Sequence, residues 1–213
     1  MGRRKKEPED VHRERIAAAA ERLFSHGGIE AATMDQIAGE AGYSKATLYV
    51  YFENKEALVD FLVLKSMRLL HRRLAEAVAG ADPVRVRYDR ICAALVDYQE
   101  QSPLYFSLAL GEIDVDPGRG DLPPVRRETY EVGERLNGVL TAFLRAGIDA
   151  GEFSPEIPLL PTVFLFWAAL SGLIRMVAQK RAYLEQATGL SKQQFLDLGF
   201  ERLYRMIALG GEG

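Results

Sequence analysis

The chain has 213 residues, enough for one compact domain or for a small head joined to a larger body. Its apolar fraction of 48% is that of a soluble globular protein, and its net charge of −3 gives no overall signal for nucleic acid. A single cysteine, Cys92, excludes an intramolecular disulfide and a cysteine-based zinc cluster, and fits a reducing cytosol.

Charge position says more than the total. Through Lys55 the chain carries nine of its 27 cations and nine of its 30 acids, so the head is neutral and the remainder mildly acidic. Arg3, Arg4, Lys5 and Lys6 form a basic arm, suited to phosphate or minor-groove contact or else simply solvated. Glu7, Glu9, Asp10 and Glu14 follow that arm where a secretory signal would be apolar.

Start and stop signals predict about nine helices and no convincing strand. The first runs from about Val11 to His26, with an apolar stripe of Ile16, Ala20, Leu23 and Phe24 ending at Gly27-Gly28. The second opens at Thr33, where Gln36 completes a capping-box pattern. The third spans Ser44 to about Phe52. A long fourth helix starts near Lys55 and stops at Gly80. Asp82-Pro83 and Ser102-Pro103 read as a cap followed by proline at the first helical position, opening helices five and six. A proline- and glycine-rich loop then leads to helix seven, which ends near Ala150. Helix eight is apolar and uncharged from Ile157 to Ile174, and continues to about Thr188. Ser191 and Gln194 repeat the capping-box pattern for helix nine. The fold class is therefore all-α, with a three-helix head (residues 1–54) and a six-helix bundle (residues 55–213).

Residues Thr33 to Lys55 carry most of the functional signal. Two short helices flank a tight turn at Gly42, the pattern of a helix-turn-helix whose second helix enters the DNA major groove. Leu48 and Phe52, four apart, are expected to pack inward on Ile37 and helix one. That leaves Lys45, Ala46, Thr47, Tyr49, Val50 and Tyr51 outward or sideways. Lys45 can donate to guanine, Ala46 and Val50 can touch a thymine methyl, and the hydroxyls of Thr47, Tyr49 and Tyr51 can reach phosphates. The alternative is a helix packed on the body with its tyrosines half-buried.

This segment resembles the tetracycline-repressor (TetR) family of bacterial transcription regulators. Gly28, Thr33, Ile37-Ala38, Ala41-Gly42, Ser44-Lys45, Thr47-Leu48-Tyr49, Tyr51-Phe52 and Asn54-Lys55-Glu56-Ala57-Leu58 carry the resemblance. Ala146-Gly147-Ile148 and Ala150-Gly151-Glu152-Phe153 add a weaker match. Ala32 and Tyr43 depart from the pattern, at positions where threonine and valine are usual. The resemblance implies a homodimer on a double-stranded, pseudo-palindromic operator. It further implies Thr33, Tyr49, Tyr51 and Lys55 at phosphates and Lys45, Ala46 and Val50 facing bases. Ser44, Thr47 and the arm residues Arg3 and Arg4 are further candidates for DNA contact. A cytoplasmic repressor is the first expectation, an activator or a ligand-independent factor the second.

In the body, Tyr88, Tyr98, Tyr105, Phe106, Phe164, Phe166 and Trp167 are candidates to line a pocket for a small, lipophilic or aromatic effector. Arg175, Asp97, Glu112 and Gln179 are its polar anchors. Helices eight and nine are the expected dimer interface, through Leu165, Ala169, Gly172, Met176, Leu196, Phe200, Leu203 and Ile207. Enzyme and membrane readings are the rivals. His12, His26 and His71 are scattered without metal-ligand spacing and no nucleophile or phosphate-loop motif occurs, so neither an enzyme, a cofactor nor a metal is expected. The length of helix eight alone suggests a bilayer, but Pro158, Pro161 and Ser171-Gly172 interrupt it, and no membrane partner is expected.

Overall fold

The computed structural model describes residues 7–111 and 122–209. Nine α-helices and no strand occur among them: α1 (Glu9–Gly27), α2 (Met34–Ala41), α3 (Lys45–Tyr51), α4 (Lys55–Val78), α5 (Val84–Gln101), α6 (Pro103–Ala109), α7 (Pro124–Asp149), α8 (Leu159–Thr188) and α9 (Lys192–Arg205). The protein is all-α, with a helix-turn-helix at its N-terminal end. The basic arm with Arg3 and Arg4, the anchor Glu112 and most of the loop before α7 lie outside the described residues.

The chain forms two compact units, one of Met1–Ser66 with Pro103–Thr129 and one of Met67–Ser102 with Tyr130–Gly213. The division between these units falls inside α4, whose first turns contribute to the core of the head. In that core Ile16, Ala20 and Phe24 of α1 meet Ile37, Leu48 and Phe52, and Leu58 and Leu62 join from α4, with Leu108 from α6. A polar cluster ties the same elements together. Lys65 donates to Glu14 at 2.7 Å and to Glu21 at 3.0 Å, and the Tyr105 hydroxyl donates to the same Glu21 oxygen. Burial disfavours the charge on Lys65, but its two carboxylate partners outweigh that and hold its pKa above the ordinary lysine value.

In the second unit, Tyr88, Ile91, Cys92, Leu95 and Tyr98 form the buried stripe of α5. Tyr88 donates its hydroxyl to the Phe200 carbonyl at 2.8 Å, fastening α5 to α9. Burial pushes the Cys92 thiol up to about 12, in keeping with a small core residue. Pro83 corrects one expectation. It is the extended residue before α5, not its first helical residue, with ψ at 145°.

The α7–α8 connection depends on a glycine. Glu152 and Phe153 both return their amides to the Gly147 carbonyl, folding Phe153 back onto α7. The Phe153 ring is fully buried against Phe143 and Tyr204. A Cβ on Gly147 would stand 2.1 Å from Phe153 Cδ2, a clash that no rotation about a flexible chain can relieve. Gly147→Ala is therefore expected to lower stability by about 1–3 kcal/mol, the usual cost of overpacking. Urea denaturation checks this; an unchanged midpoint would contradict the packing described.

Candidate nucleic-acid interface

Three local devices build the interface. The first is the N-terminus of α2, where the Thr33 side chain accepts the Gln36 amide and the Gln36 side chain accepts the Thr33 amide, a complete capping box. The second is the turn. Gly42 adopts φ 74° and ψ 26°, which a residue with a Cβ rarely does, and the Tyr43 amide then closes on the Ala38 carbonyl at 2.9 Å. The third is the N-terminus of α3, where Ser44 Oγ accepts the Thr47 amide at 3.1 Å and meets the Thr47 hydroxyl at 2.8 Å.

α3 is thereby divided into two faces. Leu48 is completely buried, and Phe52 just beyond the helix is nearly so. Lys45, Ala46, Tyr49 and Val50 are exposed, Tyr49 at 43% and Val50 at 75%. These four fall at i, i+1, i+4 and i+5, so they form one continuous strip on one side of the rod. Thr47 and Tyr51 are half-buried at its margins. An exposed valine between tyrosines, beside a cation, is the mixture that groove recognition uses.

The Lys45 ammonium sits 2.8 Å from Asp35 of α2, whose hydrogen bond raises the lysine pKa. Lys45 is thus charged, and it must exchange a solvated carboxylate for any other partner. Lys55 has a role that the sequence does not reveal. Its ammonium donates to the carbonyls of Ile29, Glu30 and Ala32 at 3.0, 3.3 and 3.4 Å, bracing the α1–α2 turn. Asn54 caps α4 by accepting the Ala57 amide at 2.7 Å.

Sequence reasoning also passed over the contacts of α1 with α3, the residue after it and α4. Arg13 lies over the Phe52 and Phe61 rings, and the His12 ring stacks on Tyr51. These pairs are 30 or more residues apart and leave no periodic signal.

The residues proposed for a pocket do not converge on one cavity. An apolar cavity of about 40 Å³ lies within the second unit, lined by Tyr88, Ile91, Phe143, Val163, Phe166 and Leu170 among others. Tyr98 is wholly buried in the core. Tyr105 and Phe106 belong to the first unit, where Tyr105 is committed to Glu21. Phe164 is 54% exposed, Trp167 half-buried and Arg175 exposed.

The interface candidates also separate. On α8, Leu165 is 60% exposed and Met176 is exposed, with Ala169 and Gly172 half-buried between them. On α9, Leu196 and Phe200 face the interior of their own subunit, as does Ile207 just beyond it, and Leu203 is half-buried. The outward apolar residues there are Leu198 and Met206. The helical period identifies an apolar stripe correctly without saying which neighbour covers it. α8 is long and apolar enough to cross a membrane by length and composition alone, and 28% of its most apolar window is buried in the subunit.

A capped helix, carried across a glycine turn from its supporting helix with a solvent-facing mixed strip, defines a helix-turn-helix DNA-binding protein. Residues 16–61 match the family described as bacterial regulatory proteins, tetR family. The N-terminal segment is thus a DNA-binding domain of the TetR-family kind. Among its relatives, the uncharacterized regulator YerO of Bacillus subtilis is 34% identical over 92 residues, which span 41% of this chain and 32% of YerO. YhgD of the same organism is 28% identical over 163 residues, 75% of this chain and 80% of that one. The solved structure of the TetR-family regulator PfmR from Thermus thermophilus superposes with a TM-score of 0.66 over 90% of this chain and 97% of PfmR, at 24% identity, a likeness of fold.

Proposed function

We propose that the protein is a ligand-responsive repressor that binds a pseudo-palindromic operator as a homodimer. The observation that carries this reading is the solvent-exposed strip of Lys45, Ala46, Tyr49 and Val50 on a helix backed by the buried Leu48. Lys45 and the small apolar side chains read base edges, while Thr33, Ser44, Thr47, Tyr49 and Tyr51 position the helix on phosphates. Residues 1–54 act as the reading head and residues 55–213 as the body that pairs subunits and receives the effector.

Pairing is the role of α8. Phe164, Leu165, Ala168, Gly172 and Met176 recur at helical spacing on its exposed side, an apolar strip that a second copy of the same strip covers by two-fold symmetry. Each subunit then presents one α3, and the pair reads two half-sites about 34–36 Å apart.

The effector site is the apolar cavity beside Tyr88 and Phe166. At about 40 Å³ it is far below the roughly 300–1,000 Å³ of an occupied small-molecule site. The state described is the closed one, and a lipophilic effector acts by selecting a conformer in which that space is enlarged. The effector releases DNA only to the extent that it binds the non-operator conformer more tightly.

Two outcomes are expected. On a duplex selected from a random pool, Lys45→Ala costs about 1–3 kcal/mol at one base pair and relaxes preference there, leaving the other positions unchanged. Titration against single-base variants checks it; a uniform loss across all variants would remove Lys45 as a reader. Leu165→Glu, at a side chain 60% exposed in the subunit, leaves the fold intact but yields a monomer with greatly weakened operator binding. Light scattering coupled to gel filtration checks it; a persistent dimer would place the interface elsewhere.

A further inference from the structure

We infer that the effector is an organic carboxylate with an apolar tail, and that Arg87 of α5 takes the carboxylate while the tail occupies the cavity beside Phe143 and Phe166. The inference deepens the assignment of that cavity as the effector site and rests on it.

Among the described residues, Arg87 alone has a buried side-chain polar atom without a partner: its Nε is shut off from solvent and finds no acceptor. The nearby acids are already taken. Asp89, two positions on, and Glu201 of α9 both accept from Arg85, at 3.0 and 2.7 Å. What the Arg87 guanidinium does meet is Phe143 of α7, with Cζ 5.7 Å from the ring centroid. A ring attracts a cation but is a far weaker acceptor than an oxygen. An N–H buried without an acceptor carries a desolvation cost that a partner would offset, so a ligand supplying that acceptor gains more here than from a solvated arginine.

The cavity and the orphaned nitrogen share their neighbours. Phe143 lines the cavity as well as meeting the guanidinium. Tyr88, the next residue along α5, and Ile91, one turn on, also belong to the lining. Positions four apart share a helix face, so Arg87 stands one turn from Ile91 on the same side of α5. The lining is apolar apart from Thr162 and Tyr88, and the Tyr88 hydroxyl is committed to the Phe200 carbonyl at 2.8 Å. A cavity of about 40 Å³ must enlarge to admit an effector, and in the enlarged conformer the Phe143 ring is the part that moves, joining the space to the guanidinium. Nε–H and the adjacent Nη–H of a guanidinium run parallel and match the two oxygens of a carboxylate. A tail in the apolar space and a carboxylate on Arg87 is the arrangement by which a few polar groups orient a ligand in an apolar pocket.

Binding of octanoate, 1-octanol and acetate to the full-length protein, followed by calorimetry and by the fluorescence of its single tryptophan, Trp167, separates head from tail. Octanoate is expected to bind about 10- to 100-fold more tightly than 1-octanol, the gain from a charge-assisted hydrogen bond, and acetate far more weakly than octanoate. Arg87→Met removes the donor and keeps an apolar chain. Its affinities for octanoate and 1-octanol are expected to converge, while its melting temperature without ligand holds or rises, because the orphaned group is gone. Arg87→Lys keeps the charge without the parallel donors, and its preference for octanoate is expected to fall between the two. It decides the matter if Arg87→Met fails to fold. Equal wild-type affinities for octanoate and 1-octanol, or an octanoate preference undiminished in the variants, overturns the inference and leaves the apolar cavity standing as the effector site. Acetate binding as tightly as octanoate, or no binding of any of the three, overturns both.

Discussion

A seven-residue helix has no stability of its own in water, since nucleation costs more than so few internal hydrogen bonds return. α3 exists because Leu48 and Phe52 are buried in the head and because Ser44 accepts the Thr47 amide at its start, just after the Gly42 turn closes the end of α2. Everything proposed for DNA reading depends on that anchoring. The half of α3 that is buried fixes where the other half points, and the exposed strip is usable because it contributes nothing to the core. A change at Lys45 or Val50 can therefore alter recognition at little cost to the fold, whereas a change at Leu48 removes the helix itself.

The same division of labour holds around the head. Lys55 and Lys65 are cations in a region that must attract phosphate, yet both are spent internally, one on three carbonyls of the α1–α2 turn and the other on Glu14 and Glu21. α6 contributes Leu108 to the core and Tyr105 to the Glu21 cluster, so the head is more than its first three helices. Within the second unit the apolar cavity is nearly closed, and the unsatisfied apolar surface lies instead on the outer side of α8. The faces of α8 differ accordingly: Val163 and Leu170 line the cavity, and Phe164 and Leu165 are exposed.

Much of this was legible in the residues because it is local. The capping boxes at Thr33 and Ser191, the left-handed turn at Gly42 and the proline opening α6 each follow from chemistry within three or four positions. Helical period also identified the buried stripe of α5 and the inward side of α3. What stayed hidden joins residues far apart in the chain. The Lys55 brace spans 23 to 26 positions, the His12–Tyr43 bond 31 and the Tyr105–Glu21 bond 84, and no spacing rule reaches that far. Period likewise cannot say whether an apolar stripe meets its own subunit or another. Leu196, Phe200 and Ile207 turned inward for that reason, leaving Leu198 and Met206 outside. Aromatic composition was the weakest guide, because Tyr98 and Tyr105 serve the core and an interhelical hydrogen bond.

The central claim is that two copies of the exposed α3 strip read DNA together. Hydroxyl-radical footprinting of the full-length protein on a selected duplex tests it most directly. The account predicts two protected patches on one face of the duplex, related by two-fold symmetry and about 34–36 Å apart, one helical turn. A single patch, or protection confined to the minor groove with the major-groove base edges still open to methylation, would contradict it.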